Sequence, residues 1–293
     1  MRFICAVFLL LIELGAGAQY KYDSWCKGEY LWKNEEISKC SRDLNQFHSK
    51  KHGYPKCSDE SYVSCADSKR FELYENFMNG ISILFVGDSL TKQQYDELKC
   101  WMPGLRTEFI YKGHLFETSR NAISNVDYSR PPSFLKIADE FDFMLINTGH
   151  HIDVSSSLVN KTQIDSFEIF YETFSALSKF ISGTNTTFIW RTLSPRHFIG
   201  RKEWYEGGSC VNATSPGQFP PSELANGYSV PIINAYAKEV FKNYHILDVE
   251  SVSRSRGDAH CGSDCTHFVY PGPQHVWNMM LLDVIADELT NDS

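Results

Sequence analysis

The chain has no hydrophobic run long enough to cross a bilayer. One apolar stretch, Phe3–Ile12, is ten residues long and stops at Glu13, whereas a spanning helix needs about 20. No later segment is apolar enough to span. An excess of basic charge is also missing: 28 Lys and Arg against 36 Asp and Glu leave a net charge of −8, the opposite of a nucleic-acid binder's footprint. There is no internal repeat and no low-complexity tract, which removes a solenoid from consideration. What remains is an ordinary globular composition, 42% hydrophobic and 22% charged over 293 residues. That is room for one large domain, or a domain with an extension.

The first residues read as a processing signal. Arg2 supplies the positive charge, Phe3–Ile12 the apolar core, and Ala16-Gly17-Ala18 a small-x-small cleavage pattern. The expectation is a signal peptide over 1–18, a secretory-pathway protein in the Golgi lumen or outside the cell, and no membrane span after cleavage. Cysteine usage agrees. Without Cys5, eight of the nine cysteines remain: Cys26, Cys40, Cys57, Cys65, Cys100, Cys210, Cys261 and Cys265. An even number in an oxidising compartment implies disulfides, and spacing leaves open which of about 105 connectivities four bridges take. Cys261 and Cys265 with His260 and His267 permit zinc only superficially, so no metal is expected. Asn160, Asn185, Asn212 and Asn291 open N-glycosylation sequons.

Residues 19–78 are polar, cysteine-rich and weakly periodic, and read as a loop-rich extension stapled by disulfides. From 79 to 293 the pattern changes. Short apolar runs at Ile81–Val86, Phe141–Ile146, Phe188–Arg191 and His245–Val249 read as buried strands. Helical periodicity fills Thr91–Trp101, Ile164–Ile181, Ile232–Lys242 and about Pro273–Thr290. Strand–helix alternation predicts a three-layer α/β domain on a mostly parallel sheet, with ligands bound beyond the strands' carboxyl ends. Residues 191–231 form a long connection rich in Gly, Pro, Ser and aromatics.

Two short motifs carry the chemistry. Gly87-Asp88-Ser89 follows the first strand and opens a helix; Asp264-Cys265-Thr266-His267 precedes the last helix. A serine at a strand-to-helix turn is accessible and close to backbone N–H groups. An Asp three residues before a His can orient it. In the order Ser…Asp…His they form a serine nucleophile with its base. Each motif alone has a plainer reading. Ser89 could simply cap its helix, and Asp-x-x-His pairs are common in surface loops. Asp258 and His260 are a competing pair.

Four ordered blocks give these motifs their specificity. They are Ile83–Tyr95 around Ser89; Asn147-Thr148-Gly149-His150; Arg191–Phe198 followed by Gly207-Gly208-Ser209-Cys210; and Asp264–His267 with Pro271-Gly272 and Trp277-Asn278. In these the chain resembles the trichome-birefringence-like family of polysaccharide O-acetyltransferases, within the wider GDSL/SGNH hydrolase and PC-esterase group. Residues 79–290 carry the resemblance, and 20–78 share only a cysteine pattern. Lys92 stands where the family usually has Arg. Phe268-Val269-Tyr270 replaces an aromatic-Cys-Leu run.

The resemblance implies an SGNH-hydrolase-like fold with Ser89 as nucleophile, His267 as general base then acid, and Asp264 orienting His267. The Ser89 N–H and the Asn147 side chain are the expected oxyanion donors, with Gly113 as a further candidate. Arg191 is expected to bind substrate or to buttress the site, and His150 to contact substrate. By the same analogy Cys26 pairs with Cys65, Cys40 with Cys100, Cys57 with Cys265, and Cys210 with Cys261. The implied reaction moves an acetyl group through acetyl-Ser89 to a polysaccharide hydroxyl. It needs an acetyl donor as co-substrate, no bound cofactor and no nucleic acid, and is expected of a monomer. The alternatives are an acetyl esterase of the same fold, and an inactive glycan-binding protein stacking sugars on Trp190, Trp204 and Tyr205.

Overall fold

The computed structural model describes residues 25–26, 63–64, 74, 77–116, 126–151, 163–198, 210, 229–254, 256–260, 264–270 and 272–291. The 1–18 signal, nearly all of the 19–78 extension, Asn160, Asn212, Trp204 and Tyr205 lie outside these residues. So do Cys40, Cys57, Cys65 and Cys261. The described part of the extension includes a two-residue antiparallel pairing of Trp25–Cys26 with Val63–Ser64.

Five strands form one parallel sheet: β1 (Ser82–Gly87), β2 (Arg106–Tyr111), β3 (Phe143–Ile146), β4 (Thr187–Arg191) and β5 (His245–Leu247). Their order is β2-β1-β3-β4-β5. The helices are α1 (Ser89–Trp101), α2 (Gln163–Ile181), α3 (Ser229–Val240), α4 (Val249–Ser253) and α5 (Pro273–Asn291). Among the described residues, no helix is long and apolar enough to cross a membrane.

The strand run of β1 explains the three layers. Side chains alternate between the faces of a strand, so Ile83 and Phe85 join a core with Leu90, Leu98, Trp277 and Leu281 of α1 and α5. Leu84 and Val86 enter a second core with Phe170 and Phe174 of α2, Ile233 of α3 and Phe241 just beyond it. A strand buried on both faces reads as continuous apolar sequence, which is why β1 was legible. Trp190 belongs to the second core. It is fully buried and stacked on Phe241 at 4.7 Å, so it cannot serve as a sugar-stacking surface.

Two elements depart from the expectation. β2 has no predicted counterpart. It is the edge strand, with Arg106, Glu108 and Tyr111 exposed, so it lacks the apolar run of the central strands. The strand predicted to reach Val249 ends at Leu247, and the chain turns into α4. The Thr192 hydroxyl accepts from the N–H groups of Val249 (2.9 Å) and Glu250 (3.2 Å). A side chain leaving β4 thus satisfies the first donors of that helix.

The turn from β1 into α1 is tightly built. Asp88, not Ser89, is the N-cap: its Oδ1 accepts from Leu90 N at 3.0 Å and Thr91 N at 3.4 Å. That leaves Ser89 as the first helical residue, with its hydroxyl free of capping duty. Gly87 is fixed by close approach, because a Cβ there would lie 2.3 Å from Thr91 Oγ1 and 2.7 Å from the Asn147 carbonyl oxygen. We predict that Gly87→Ala costs about 1–3 kcal/mol of stability, measured by denaturant unfolding. A cost near zero would mean that the turn has slack.

Candidate active site

The carboxyl edge of the sheet brings the two sequence motifs into contact. His267 Nε2 lies 2.6 Å from Ser89 Oγ, and His267 Nδ1 lies 2.7 Å from Asp264 Oδ2. Asp264 Oδ1 accepts from the backbone N–H groups of Thr266 (3.0 Å) and His267 (3.1 Å). Burial works against charge on the Asp264 carboxyl. Hydrogen bonds from His267, its charge and the two backbone N–H groups outweigh that and hold the carboxyl well below the usual range. Asp264 is therefore an anion facing Nδ1–H, which leaves the Nε2 lone pair toward the serine.

The loop is locked to the helix that carries Ser89. One turn beyond the serine, Gln93 donates to the Phe268 carbonyl (2.7 Å) and accepts from the Phe268 N–H (3.2 Å). Asn278 of α5 donates to the Gln94 carbonyl at 3.0 Å. Sequence reasoning left these residues without a role, although Gln93 and Asn278 lie inside the quoted blocks.

A disulfide joins Cys210 to Cys265, with Cα atoms 5.2 Å apart. This overturns both Cys57–Cys265 and Cys210–Cys261, since each sulfur makes one bridge. The physical reason is the path of the chain after β4: His197 N donates to the Cys265 carbonyl at 2.8 Å, and Phe198 pairs with Cys210. Cys210 therefore arrives beside Cys265. Cys100 is disulfide-bonded; its expected partner Cys40, and Cys65 of the Cys26 pair, lie outside the described residues.

Asn147 is not placed as an oxyanion donor. It is fully buried, and its amide nitrogen faces the carbonyls of Arg191 (2.9 Å) and Thr192 (3.4 Å). Its Oδ1 accepts from Arg191 Nη2 at 2.7 Å. Turning the amide over would set donor against donor, so the orientation is fixed. Arg191 is likewise withdrawn from substrate, being only 1% exposed. Its Nη2 also donates to Thr91 Oγ1 at 2.9 Å and lies 3.9 Å from Asp88 Oδ1, and its guanidinium sits 4.9 Å from the Trp277 ring centre. Burial lowers its pKa to about 10, opposed by Asp88, so it stays cationic at neutral pH. Asn147 and Arg191 form a polar buttress beneath the nucleophile turn.

His150 is half-buried near His267. Burial, then the charges of Arg196 and Arg191, push it well below the ordinary histidine value, so the ring is neutral. Among the described residues its buried Nε2 has no hydrogen-bond partner. Sequence reasoning gave Tyr111 no role. Tyr111 pairs in register with Gly87 and is 56% exposed, and its hydroxyl lies 3.4 Å from His151 Nε2. His260 of the competing pair turns its Nδ1 to the His267 carbonyl, not to Ser89.

A parallel β2-β1-β3-β4-β5 sheet whose carboxyl edge holds Ser, His and Asp in hydrogen-bonded line defines an α/β protein with a serine-hydrolase-type site. The chain belongs to the PC-Esterase family, the GDSL/SGNH-like acyl-esterase family found in Pmr5 and Cas1p, whose pattern matches residues 104–284. That stretch runs from β2 into α5 and contains Asn147, Arg191, Asp264 and His267. Trichome birefringence-like 39 of Arabidopsis thaliana is 24% identical over 323 aligned residues, 89% of this chain and 86% of the relative. Trichome birefringence-like 40 of the same plant is 25% identical over 253, covering 70% and 69%. Among solved structures, an acetylxylan esterase from Geobacillus stearothermophilus aligns with a TM-score of 0.41 and 14% identity, over 70% of this chain and 94% of that one.

Removing Arg191 leaves Asp88 and Asn147 buried without their cation. We predict that Arg191→Ala costs about 3 kcal/mol or more in denaturant unfolding. If Arg191 bound substrate directly, KM would rise while stability stayed unchanged.

Proposed function

We propose that the chain is a serine-dependent O-acetyltransferase acting on a polysaccharide. The observation that carries the serine chemistry is the 2.6 Å contact between Ser89 Oγ and His267 Nε2, with Asp264 behind it. His267 takes the Ser89 proton as the oxygen attacks the carbonyl carbon of an acetyl ester. The tetrahedral intermediate collapses, His267 returns the proton to the leaving alcohol, and acetyl-Ser89 remains. A sugar hydroxyl then attacks that ester with His267 again as base. The acetyl group leaves on the sugar and Ser89 is restored. Asp264 keeps the imidazole in the right tautomer throughout.

With Asn147 committed elsewhere, the Ser89 N–H and the Gly113 N–H are the proposed oxyanion donors. Ser89 is the first residue of α1, where helical N–H groups lack an intrahelical partner. The Thr148 hydroxyl holds the Gly113 carbonyl at 3.1 Å, on the loop beyond β2. Losing one such donor costs about 100- to 1000-fold in rate. His150, whose Nε2 has no partner among the described residues, is the proposed contact to the acyl group or leaving sugar. No cofactor enters; the acetyl donor is a co-substrate. Action in the secretory lumen rests on the apolar leader and the sequons.

The likeness of all four blocks to polysaccharide O-acetyltransferases supports transfer. A second reading, hydrolysis, is favoured by the half-exposed Ser89 and His267, which water can reach. Product analysis with an acetyl ester donor and a glycan panel separates the two. Transfer predicts acetylated glycan exceeding free acetate, and hydrolysis the reverse. Ser89→Ala abolishes both products. Activity that survives Ser89→Ala would overturn the proposal, and glycan binding without turnover would support the inactive binder.

Exposed Tyr111 beside the nucleophile turn suits stacking against a sugar ring. Tyr111→Ala is expected to raise KM for an acetylated oligosaccharide about tenfold, a loss of about 1.4 kcal/mol. Hydrolysis of p-nitrophenyl acetate should stay within about twofold. Equal loss on both esters would remove Tyr111 from sugar recognition.

A further inference from the structure

Two histidines outside the serine site form a chain of three short contacts that ends on the catalytic loop. His197 Nε2 lies 3.1 Å from the Arg254 carbonyl oxygen. His197 Nδ1 lies 2.6 Å from His260 Nε2. His260 Nδ1 lies 2.6 Å from the carbonyl oxygen of His267. A carbonyl oxygen only accepts, so His197 carries hydrogen on Nε2 and His260 carries it on Nδ1. A neutral imidazole has one N–H. In a doubly neutral pair, the two inner nitrogens would therefore turn lone pairs on each other at hydrogen-bond distance.

We propose that His197 and His260 share a single proton between Nδ1 and Nε2, and that the pair positions His267 through its backbone. With that proton in place every contact has one donor and one acceptor, from the Arg254 carbonyl to the His267 carbonyl. Burial, then the neighbouring His197, pushes His260 well below the ordinary histidine value, so the shared proton leaves at a lower pH than an ordinary histidine's, while the His267 carbonyl and the Asp264 carboxylate favour it. The groups facing the pair agree with one positive charge. The catalytic loop presents the Asp264 carboxylate, the His267 ring and the Phe268 ring, the last stacked on His260 at 4.5 Å. Arg254 offers its carbonyl, while its guanidinium is paired with Glu250. The main chain of His197 also donates to the Cys265 carbonyl at 2.8 Å. Two carbonyls of the catalytic loop are thus held by this pair.

The sign of the pH effect follows. The shared proton is present at low pH and leaves as pH rises through the pair's titration. One ring must then turn a lone pair on the carbonyl it had served. If that carbonyl is His267's, the base loses its backbone anchor. Activity should therefore fall as pH rises through that titration, below the ordinary histidine range, for a reason separate from Ser89, His267 and Asp264.

The inference rests on the proposed role of His267, so its test has a readout that needs no activity. Ring-nitrogen NMR of the full chain, followed downward from about pH 6, should show one proton shared by the two rings and titrating as a single event. Two rings in separate neutral tautomers, or each taking its own proton, overturn it. His197→Asn supplies an amide N–H to His260 Nε2 that does not ionise. That variant should keep kcat on a simple acetyl ester within about threefold at pH values below the pair's titration, with the fall through that titration lost. A pH profile superimposable on the wild type overturns the proposal. If the wild type shows no acyl-ester turnover at all, the functional reading fails while the NMR result still decides the shared proton.

Discussion

The contact between Ser89 Oγ and His267 Nε2 is the constraint on which the rest of the structure depends. It joins residues 178 positions apart. A single hydrogen bond contributes only about 1 kcal/mol net, too little to hold a loop against its own entropy. The position of His267 is instead imposed by its surroundings. Gln93 grips the Phe268 backbone from the helix that begins at Ser89. Ser89 and His267 are thus referenced to one rigid element. The Cys210–Cys265 bridge and the His197 and His260 contacts hold the loop from the other side.

The polar layer under the site follows the same logic. A buried guanidinium is costly unless its donors are used. Among the described residues Arg191 hydrogen-bonds only through Nη2, to Thr91 and Asn147, and its guanidinium lies against the Trp277 ring. Through these it ties α1, β3, β4 and α5 together below the reacting serine. Asp88 caps α1 and faces Arg191, so the residue that frees Ser89 from capping is itself held by the buttress.

Sequence revealed position more readily than orientation. The continuous apolar run of β1 and the helical periodicity of α1, α2, α3 and α5 locate the site, because buried elements leave a composition signal. β2 leaves none, as its edge position keeps its side chains half in water. Ser89, Asp264 and His267 were legible because local spacing fixes the Asp–His pair, and strand context places the serine. Asn147 was found as a site residue with the wrong work assigned, and of the two roles expected of Arg191 the structure supports the buttress. A motif cannot say whether a side chain points at the ligand or away from it. The partner of Cys265 and the contact between His197 and His260 depend on how distant segments cross, which no local pattern encodes.

The account stands on Ser89 being made reactive by His267. An alkyl fluorophosphonate traps only a serine whose proton a neighbouring base can take. Intact-mass and peptide analysis of the labelled protein should show one adduct, on Ser89, at unit stoichiometry, and its formation should collapse in His267→Ala. No adduct on Ser89, or labelling undiminished by His267→Ala, would contradict it.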